Sequence, residues 1–423
     1  MNNNKYIPLL RFHEFQNEEE WKRYKLCNIA VKKREKNTQN FKLPIYTNSA
    51  LCGVVNQEEY FDREIVTKDN LVNYSIVEYN DFVYNPRISL AAPVGPISRN
   101  KLSKGIMSPL YLIFKFNDGC IDFFEQYFKG NYWHEYIKAK ANYGARFDRI
   151  NIATSDFMDM PISYPCIKEQ EKIAKCLLSL DKYIEATNQK LELLKKYKKG
   201  LIQKLFPAKG KTLPELRFPE FKNDGEWVIN QLGTIGDTYG GLSGKSAEDF
   251  GTGKPFVTYK QVFNSLGIDV AECQLVKIED NEKQNNLQYG DVLITMSSET
   301  PEEVGYTAVV TNKNIPECYL NSFCFIYRLF EDEPIDANFL IYLFSSDVYR
   351  TSVVRIAQGI TRFNISKTKF KEIELAIPEN EDEQRKIAET LSTIDKQIAE
   401  YNKKIKTLEL HKKGLMQQLF PKL

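Results

Sequence analysis

From Gln170 to Pro207 the chain carries a stripe of mostly apolar positions at alternating steps of four and three: Ile173, Leu177, Leu180, Ile184, Thr187, Leu191, Leu194, Lys198, Leu201 and Leu205. A mean period of 3.5 keeps such a stripe on one side of an α-helix and predicts a heptad seam. The pattern returns in the same phase at Ile387, Leu391, Ile394, Ile398, Tyr401, Ile405, Leu408, Lys412, Leu415 and Leu419. The segments 170–207 and 384–421 are related by a constant offset of 214, and 19 of their 38 positions are identical. Neither contains Pro or Gly before Gly200 or Gly414. Roughly 37 helical residues would span about 55 Å, well beyond an average globular helix. Two surface helices of a bundle would satisfy this pattern, and so would a mutually paired spacer, which the shared phase favours. The seven residue steps from Pro207 to Pro214 reach at most about 24 Å, which predicts antiparallel pairing with Leu180 opposite Lys412 and Lys198 opposite Ile394.

A second repeat says what the helices connect. Pro8, Leu10, Arg11, Phe12, Phe15, Trp21 and Leu26 reappear at an offset of 206 as Pro214, Leu216, Arg217, Phe218, Phe221, Trp227 and Leu232. The chain divides into a lead (1–20), a first body (21–165), a helix (166–207), a second lead (208–226), a second body (227–378) and a second helix (379–423). Within the first body, "SIVEYNDFVYNP", "SPLYLIFKF" and "MDMPISYP" are β-branched and aromatic runs split by turns, as strands are. A helix-like run, Ile121 to Ala141, lies among them. The second body repeats the order with "YGDVLITMSS", "NSFCFIYRL" and the helix-like "DANFLIYLFSSDVYRTSVVRI". Asp81 corresponds to Asp291, and "GARF" (144–147) to "GITRF" (359–363). The expected fold class is α+β: two similar mixed α/β bodies joined by two long antiparallel coiled-coil helices, with a pseudo-twofold relation. If the first lead closes this arrangement, Phe12 and Phe15 pack near Leu419 and Phe420, as Phe218 and Phe221 do near Leu205 and Phe206.

Composition narrows the chemistry. The 58 basic and 56 acidic residues nearly cancel, so any nucleic-acid site must be local. Eight cysteines without a CxxC pair, with only three histidines, form no recognisable zinc pattern. The N-terminus has no apolar signal core and no run of about 18 apolar residues occurs, so a cytoplasmic chain that does not enter the membrane is expected. "GGLSGKS" at Gly240 to Ser246 suggests a phosphate-binding loop, but Tyr239 stands where that motif needs its first glycine. It is better read as a flexible loop able to meet a phosphate backbone. Ser297, Ser298 and Glu299 could be imagined as nucleophile and base, yet no partner is evident. "YNPRIS" has Arg87 where an amino-methyltransferase signature needs its second proline. No catalytic constellation and no metal site are expected.

The two-unit plan, the "LRFPEF" lead and the "KKGLIQKLFP" and "KKGLMQQLFP" helix ends together resemble the specificity subunit of Type I restriction-modification systems, over essentially the whole chain. The resemblance implies a non-enzymatic reader of double-stranded DNA with a bipartite target. Each body would be a target-recognition domain for one half, and the helices would set the unread spacer and dock two modification (methyltransferase) subunits. S-adenosylmethionine, ATP and Mg would belong to those partners and to restriction subunits, not to this chain. Independently of family, two similar bodies at a fixed separation are what a split target demands, as half-site spacing mirrors symmetry in dimers.

Base and phosphate contacts call for Arg, Lys, Gln, Ser, Thr or Tyr on Gly-rich loops. In the first body these are Arg87, Arg99, Lys101, Lys104, Arg146 and Arg149. In the second they are Lys245, Ser246, Lys254, Tyr259, Lys260, Gln261, Ser297, Ser298, Thr361 and Arg362. The cluster Lys195, Lys196, Lys198 and Lys199 could touch spacer phosphates or simply complement a helix C-terminus. A coiled-coil scaffold with protein-binding bodies, or a DNA enzyme with an unfamiliar site, are the competing readings.

Overall fold

A computed structural model describes residues 6–61, 68–143, 148–268 and 270–421. The chain forms two compact units, Met1–Asn188 with Lys403–Leu423, and Gln189–Asn402. Each unit therefore takes one part of each long helix. The helices run Ile167–Leu205 and Glu381–Leu419, 39 residues apiece.

The first unit holds two four-stranded sheets. One is antiparallel, in the order Ala30–Lys32, Leu112–Phe116, Phe82–Tyr84, Ile97–Arg99. The other runs Gly53–Asn56, Ile45–Ser49, Gly105–Met107, Ser75–Val77, with its central pair parallel. The second unit repeats the plan. Its antiparallel sheet is Gly236–Gly240, Cys324–Leu329, Val292–Thr295, Thr307–Val309. Its companion sheet has three strands, Gln274–Val276, Phe250–Val257 and Tyr319–Leu320, the last pair parallel. In both units a two-stranded ribbon joins the start of the body to its end: Lys22–Lys25 with Pro161–Tyr164, and Val228–Gln231 with Glu374–Ile377.

The helix-like runs of the two bodies are each broken in two. Ile121–Lys129 stops at Gly130, and the indole of Trp133 donates to the carbonyls of Gly130 (3.1 Å) and Phe128 (3.4 Å) before His134–Lys140 begins. Ala337–Leu343 stops before Ser346, whose hydroxyl accepts from Tyr349 N and so caps Asp347–Ile356. In both places a polar side chain satisfies the backbone groups that an uninterrupted helix would have paired internally.

The lead motif gains a physical role. Arg11 makes two hydrogen bonds to Glu169 (2.9 and 2.8 Å), and Arg217 makes the same pair to Glu383 (2.8 and 2.7 Å). Both carboxylates are in the first turn of a long helix and only 1% exposed, where the helix dipole also favours negative charge. Next to each, Gln170 and Gln384 bind the carbonyls of Pro165 and Pro378 and accept from the backbone N–H of Cys120 and Asp336. The lead backbone is tied to the other helix's end, Leu10 N to Gln418 O (2.9 Å) and Leu216 N to Lys204 O (2.8 Å). Phe420 meets Trp21 edge-on at 6.2 Å and Phe206 meets Trp227 at 6.0 Å. Phe12 packs on the cluster containing Leu419 and Phe420, and Phe218 on that containing Leu205 and Phe206. Phe15 and Phe221 are buried but lie outside those clusters.

Within each unit the two helical segments run antiparallel. Asp181 pairs with Lys412 in the first unit, and Lys198 with Asp395 at 2.5 Å in the second. Lys404 lies over the Tyr183 ring, and Lys190 over that of Tyr401. These pairs stand one residue or a few away from the expected partners. None of the twenty seam positions is exposed: Ile173, Leu177, Leu191, Leu205, Ile387, Leu391, Ile394, Ile405 and Leu419 are buried, and Leu180, Ile184, Leu194, Leu201, Ile398, Leu408 and Leu415 partly so. Burial opposes ionisation of Asp181, but hydrogen bonds from Lys412 and Gln126 and the charge of Lys129 hold its carboxyl below the usual range. Lys198, engaged by Asp395, is only 15% exposed and is not a free cation for phosphate. Lys195 pairs with Glu192.

Candidate nucleic-acid interface

In the second unit the expected residues gather around one ribbon. Ser297–Ser298 leaves the end of the central strand Val292–Thr295 and pairs antiparallel with Phe363–Asn364. Gln358 and Asn364 exchange backbone hydrogen bonds of 3.0 and 2.9 Å, which closes a hairpin whose tip is Gly359, Ile360, Thr361 and Arg362. Gly359 has φ +145°, and a Cβ there would lie 1.9 Å from Arg362 O, so glycine is required. Thr361 and Arg362 are exposed. Tyr259, in the first turn of the helix Tyr259–Asn264, donates its hydroxyl to Ser297 O at 2.8 Å, and burial raises its pKa. Ser298 donates to Glu303 at 3.1 Å, while the buried Ser297 hydroxyl oxygen has no protein partner. Tyr259, Ser297, Ser298, Thr361 and Arg362 are thus brought to one ribbon, with Lys260 exposed beside Tyr259.

The other expected residues of this unit are occupied elsewhere. Gln261 forms a reciprocal cap with Thr258. Lys245, 5% exposed, is held by Glu282 at 2.5 Å, and Ser246 caps a short turn through Asp249. Ser243 is pinned to Gln284 through both its N–H and its carbonyl, so the Gly/Lys loop is braced rather than free. Lys254 pairs with Glu317 at 2.6 Å and is half exposed.

The first unit builds the same place with different side chains. Register equates Phe82 with Val292, because they pair with Phe114 and Tyr327 respectively. Arg87 therefore takes the place of Ser297, and Arg149, which faces Arg87 across an antiparallel bridge, takes that of Asn364. Arg87 is exposed, and Arg149 Nε is buried without a hydrogen-bond partner. Arg146 lies outside the described residues. Arg99 is not available: it donates to Asn80 (2.9 and 2.7 Å), Asp122 (2.5 Å) and Glu125 (3.2 Å) and is 11% exposed. Lys101 pairs with Glu125 at 2.7 Å, and Lys104 approaches Glu78 at 3.9 Å. The importance of Asn364 was hidden in the sequence, since only the strand pairing sets it opposite Ser297.

Asp81 and Asp291 hold equivalent turns, accepting from Glu78 N (2.8 Å) and Gln288 N (2.7 Å). Both carboxyls are fully buried and raised in pKa by desolvation. Arg328 binds Asp291 with two 2.7 Å bonds. Lys115 stands at the matching position of the first unit and makes no such bond, so Asp81 Oδ1 has no partner. Among the described residues, no group of three or more His, Cys, Asp or Glu is placed to hold a metal ion, and no helix is long and apolar enough to cross a membrane.

Residues 18–196 and 224–410 match the family described as the Type I restriction modification DNA specificity domain. The MjaVIII Type I restriction enzyme specificity subunit of Methanocaldococcus jannaschii is 28% identical over 273 residues, 62% of each chain. The alignment therefore spans less than two thirds of that relative. The EcoKI specificity subunit of Escherichia coli is 25% identical over 177 residues, 41% of this chain and 37% of its own. A solved Type I restriction-modification S subunit from M. genitalium superposes with a TM-score of 0.55 at 16% identity, covering 99% of this chain and 100% of its own. A structure described for the assembly and conformational transition of the Type I system gives 0.57 at 17%, covering 95% and 97%. With the family matched twice along the chain and the same architecture in those structures, this protein belongs to the Type I restriction-modification DNA specificity family.

Proposed function

We propose that this chain is the sequence-reading subunit of a Type I restriction-modification complex. Each unit reads one half of a bipartite duplex target, and the helix pair sets the unread spacer and receives two modification subunits. The chain itself carries out no chemistry. Adenine methylation with S-adenosylmethionine belongs to the modification subunits, and ATP- and Mg-dependent cleavage to restriction subunits. The observation that carries this reading is the contrast between frame and ribbon. The Arg–Glu clamps, helix caps and sheet order recur in both units, while the equivalent ribbon positions hold Arg87 and Arg149 in one and Ser297 and Asn364 in the other. Arginine forks suit guanine edges, and Asn or Ser suit adenine or either base, so the two ribbons are equipped for different sequences.

Specific affinity should fall with salt, since local cations at the ribbons displace counterions from phosphate. Exchange of the body 21–165 for that of another family member is expected to change one half of the methylated target and leave the other intact. Methylation mapping of DNA exposed to the assembled complex reads this out. Two altered halves, or methyl transfer by this chain alone, would overturn the proposal, and salt-independent association with a protein instead of duplex DNA would point to a scaffold.

A further inference from the structure

Beside each ribbon stands one aliphatic side chain that the fold leaves fully in water. Ile360, at the tip of the Gln358–Asn364 hairpin, is 95% exposed. Leu90 is completely exposed, on a turn where Ser89 and Ala92 exchange backbone hydrogen bonds of 3.0 and 3.1 Å. Neither turn is loose. The Leu90 turn is fastened on one side by Ile88 N to Asp148 O (3.1 Å) and on the other by Gly95 N to Ala92 O (3.1 Å), and Ile88 packs on the core. The Ile360 turn is closed by the paired Gln358–Asn364 backbone and by the glycine at 359. Such braced turns hold the aliphatic groups outward, so neither side chain adds to the core. Their neighbours are mostly cationic: Arg87 and Arg149 near Leu90, the latter 3.7 Å from the Asp148 carboxylate, Arg362 two residues from Ile360, and Arg355 exposed at the end of the preceding helix. An apolar protein surface would not match guanidinium groups on the same turn, whereas a DNA groove offers phosphates at its rim and one strongly apolar feature on its floor, the thymine 5-methyl group.

We propose that Leu90 and Ile360 are base-reading side chains, each packing against a thymine 5-methyl group in the half-site of its own unit. The proposal rests on the reading of this chain as a duplex-DNA reader and adds the contact by which A·T is told from the other pairs. Arg87 with Arg149, and Thr361 with Arg362, would flank this apolar contact on neighbouring base edges or phosphates.

The test uses the full chain assembled with its modification subunits and the target found by methylation mapping. Thymines of each half-site are replaced one at a time by deoxyuridine, which removes only the methyl group. One replacement per half-site is expected to weaken binding roughly fourfold, the order that follows from taking one methyl group out of a dry apolar interface. Ile360→Ser should weaken binding to the unmodified target by a similar factor, abolish the deoxyuridine penalty in one half-site and leave the other half-site's penalty unchanged. Leu90→Ser should do the converse. Both residues are exposed, so unchanged melting temperatures confirm intact folding. If the variants bind like the parent protein, or if they weaken binding while the deoxyuridine penalty persists, the thymine contact is refuted, although half-site recognition stands. If the parent complex shows no preference for any duplex sequence, the functional reading itself falls.

Discussion

Asp81 shows how one missing partner changes the behaviour of a residue. Its counterpart Asp291 is equally buried and likewise raised in pKa, but both its oxygens are held by a two-pronged Arg328 contact, while Asp81 keeps one oxygen unpaired. Burial raises its pKa in the folded state, so the folded protein holds the proton to higher pH than the unfolded chain does. The stability associated with the neutral carboxyl is present below the unfolded pKa, about 3.9, and is lost as pH rises through the higher folded value. Asp81→Asn keeps an acceptor for Glu78 N and cannot ionise. It is expected to melt at about the parent's temperature in acid and above it at neutral pH, in proportion to the charge-burial cost removed. Melting curves at several pH values decide, and a gap that does not widen with pH would refute the charge-burial cost assigned to Asp81. The sites on the two ribbons follow the same logic of partners. Lys245 and Arg99 have suitable chemistry for DNA, yet their charges are already consumed by Glu282, Asp122 and Glu125.

At the scale of elements, each long helix is held at both ends by the same devices. Its first turn is clamped by a lead arginine, and its last turn places a phenylalanine against the tryptophan of a body. Because Glu169 and Glu383 are about 1% exposed, removing the arginine leaves an uncompensated buried carboxylate. Arg217→Ala should therefore destabilise the second unit by about 3–5 kcal/mol, and Arg11→Ala the first by a similar amount. Arg→Lys should recover only part of this, because an ammonium cannot repeat the planar double contact. Chemical denaturation of these Ala and Lys variants at positions 11 and 217 measures it. A loss below about 1 kcal/mol, typical of an exposed pair, would show that the clamp is not needed. Along the seam, the buried or half-buried Lys–Asp pairs give the helices polar marks that favour one alignment, the role polar seam residues have in coiled coils.

For the whole molecule, the proposed ruler makes a quantitative prediction. Inserting four residues in each long helix adds about 6 Å of length. Duplex DNA rises about 3.4 Å per base pair, so the unread spacer should grow by one or at most two base pairs while both half-sites keep their sequences. Four residues also turn a helix about 40° past a full circle, and one base pair turns DNA by about 35°, so a single added pair fits the rotation best. Methylation mapping of the lengthened protein gives the answer, and an unchanged spacer would remove the helices from the role of ruler.

The parts of this protein legible in its sequence are those specified by local, periodic chemistry. A 3.5-residue period exposes a helix seam wherever it lies, and a 214-residue repeat exposes a duplication, because neither depends on knowing which distant segments touch. The Arg11 and Arg217 positions were visible as repeats, but their partners Glu169 and Glu383 were not, since ion pairs across more than 150 residues have no sequence signature. The broken helices at Gly130 and Ser346 were likewise decided by Trp133 and Ser346 satisfying backbone groups, against a continuous apolar pattern. The ribbons depended most on tertiary structure. Arg, Lys and Ser on a Gly-rich loop have the same sequence character whether they face solvent or a carboxylate, and only the folded sheets determined that Arg99 and Lys245 are consumed while Arg87, Ser297 and Arg362 stand at the ribbons. A side chain's availability depends on which charges the chain brings within about 3 Å of it, and that is a property of the fold.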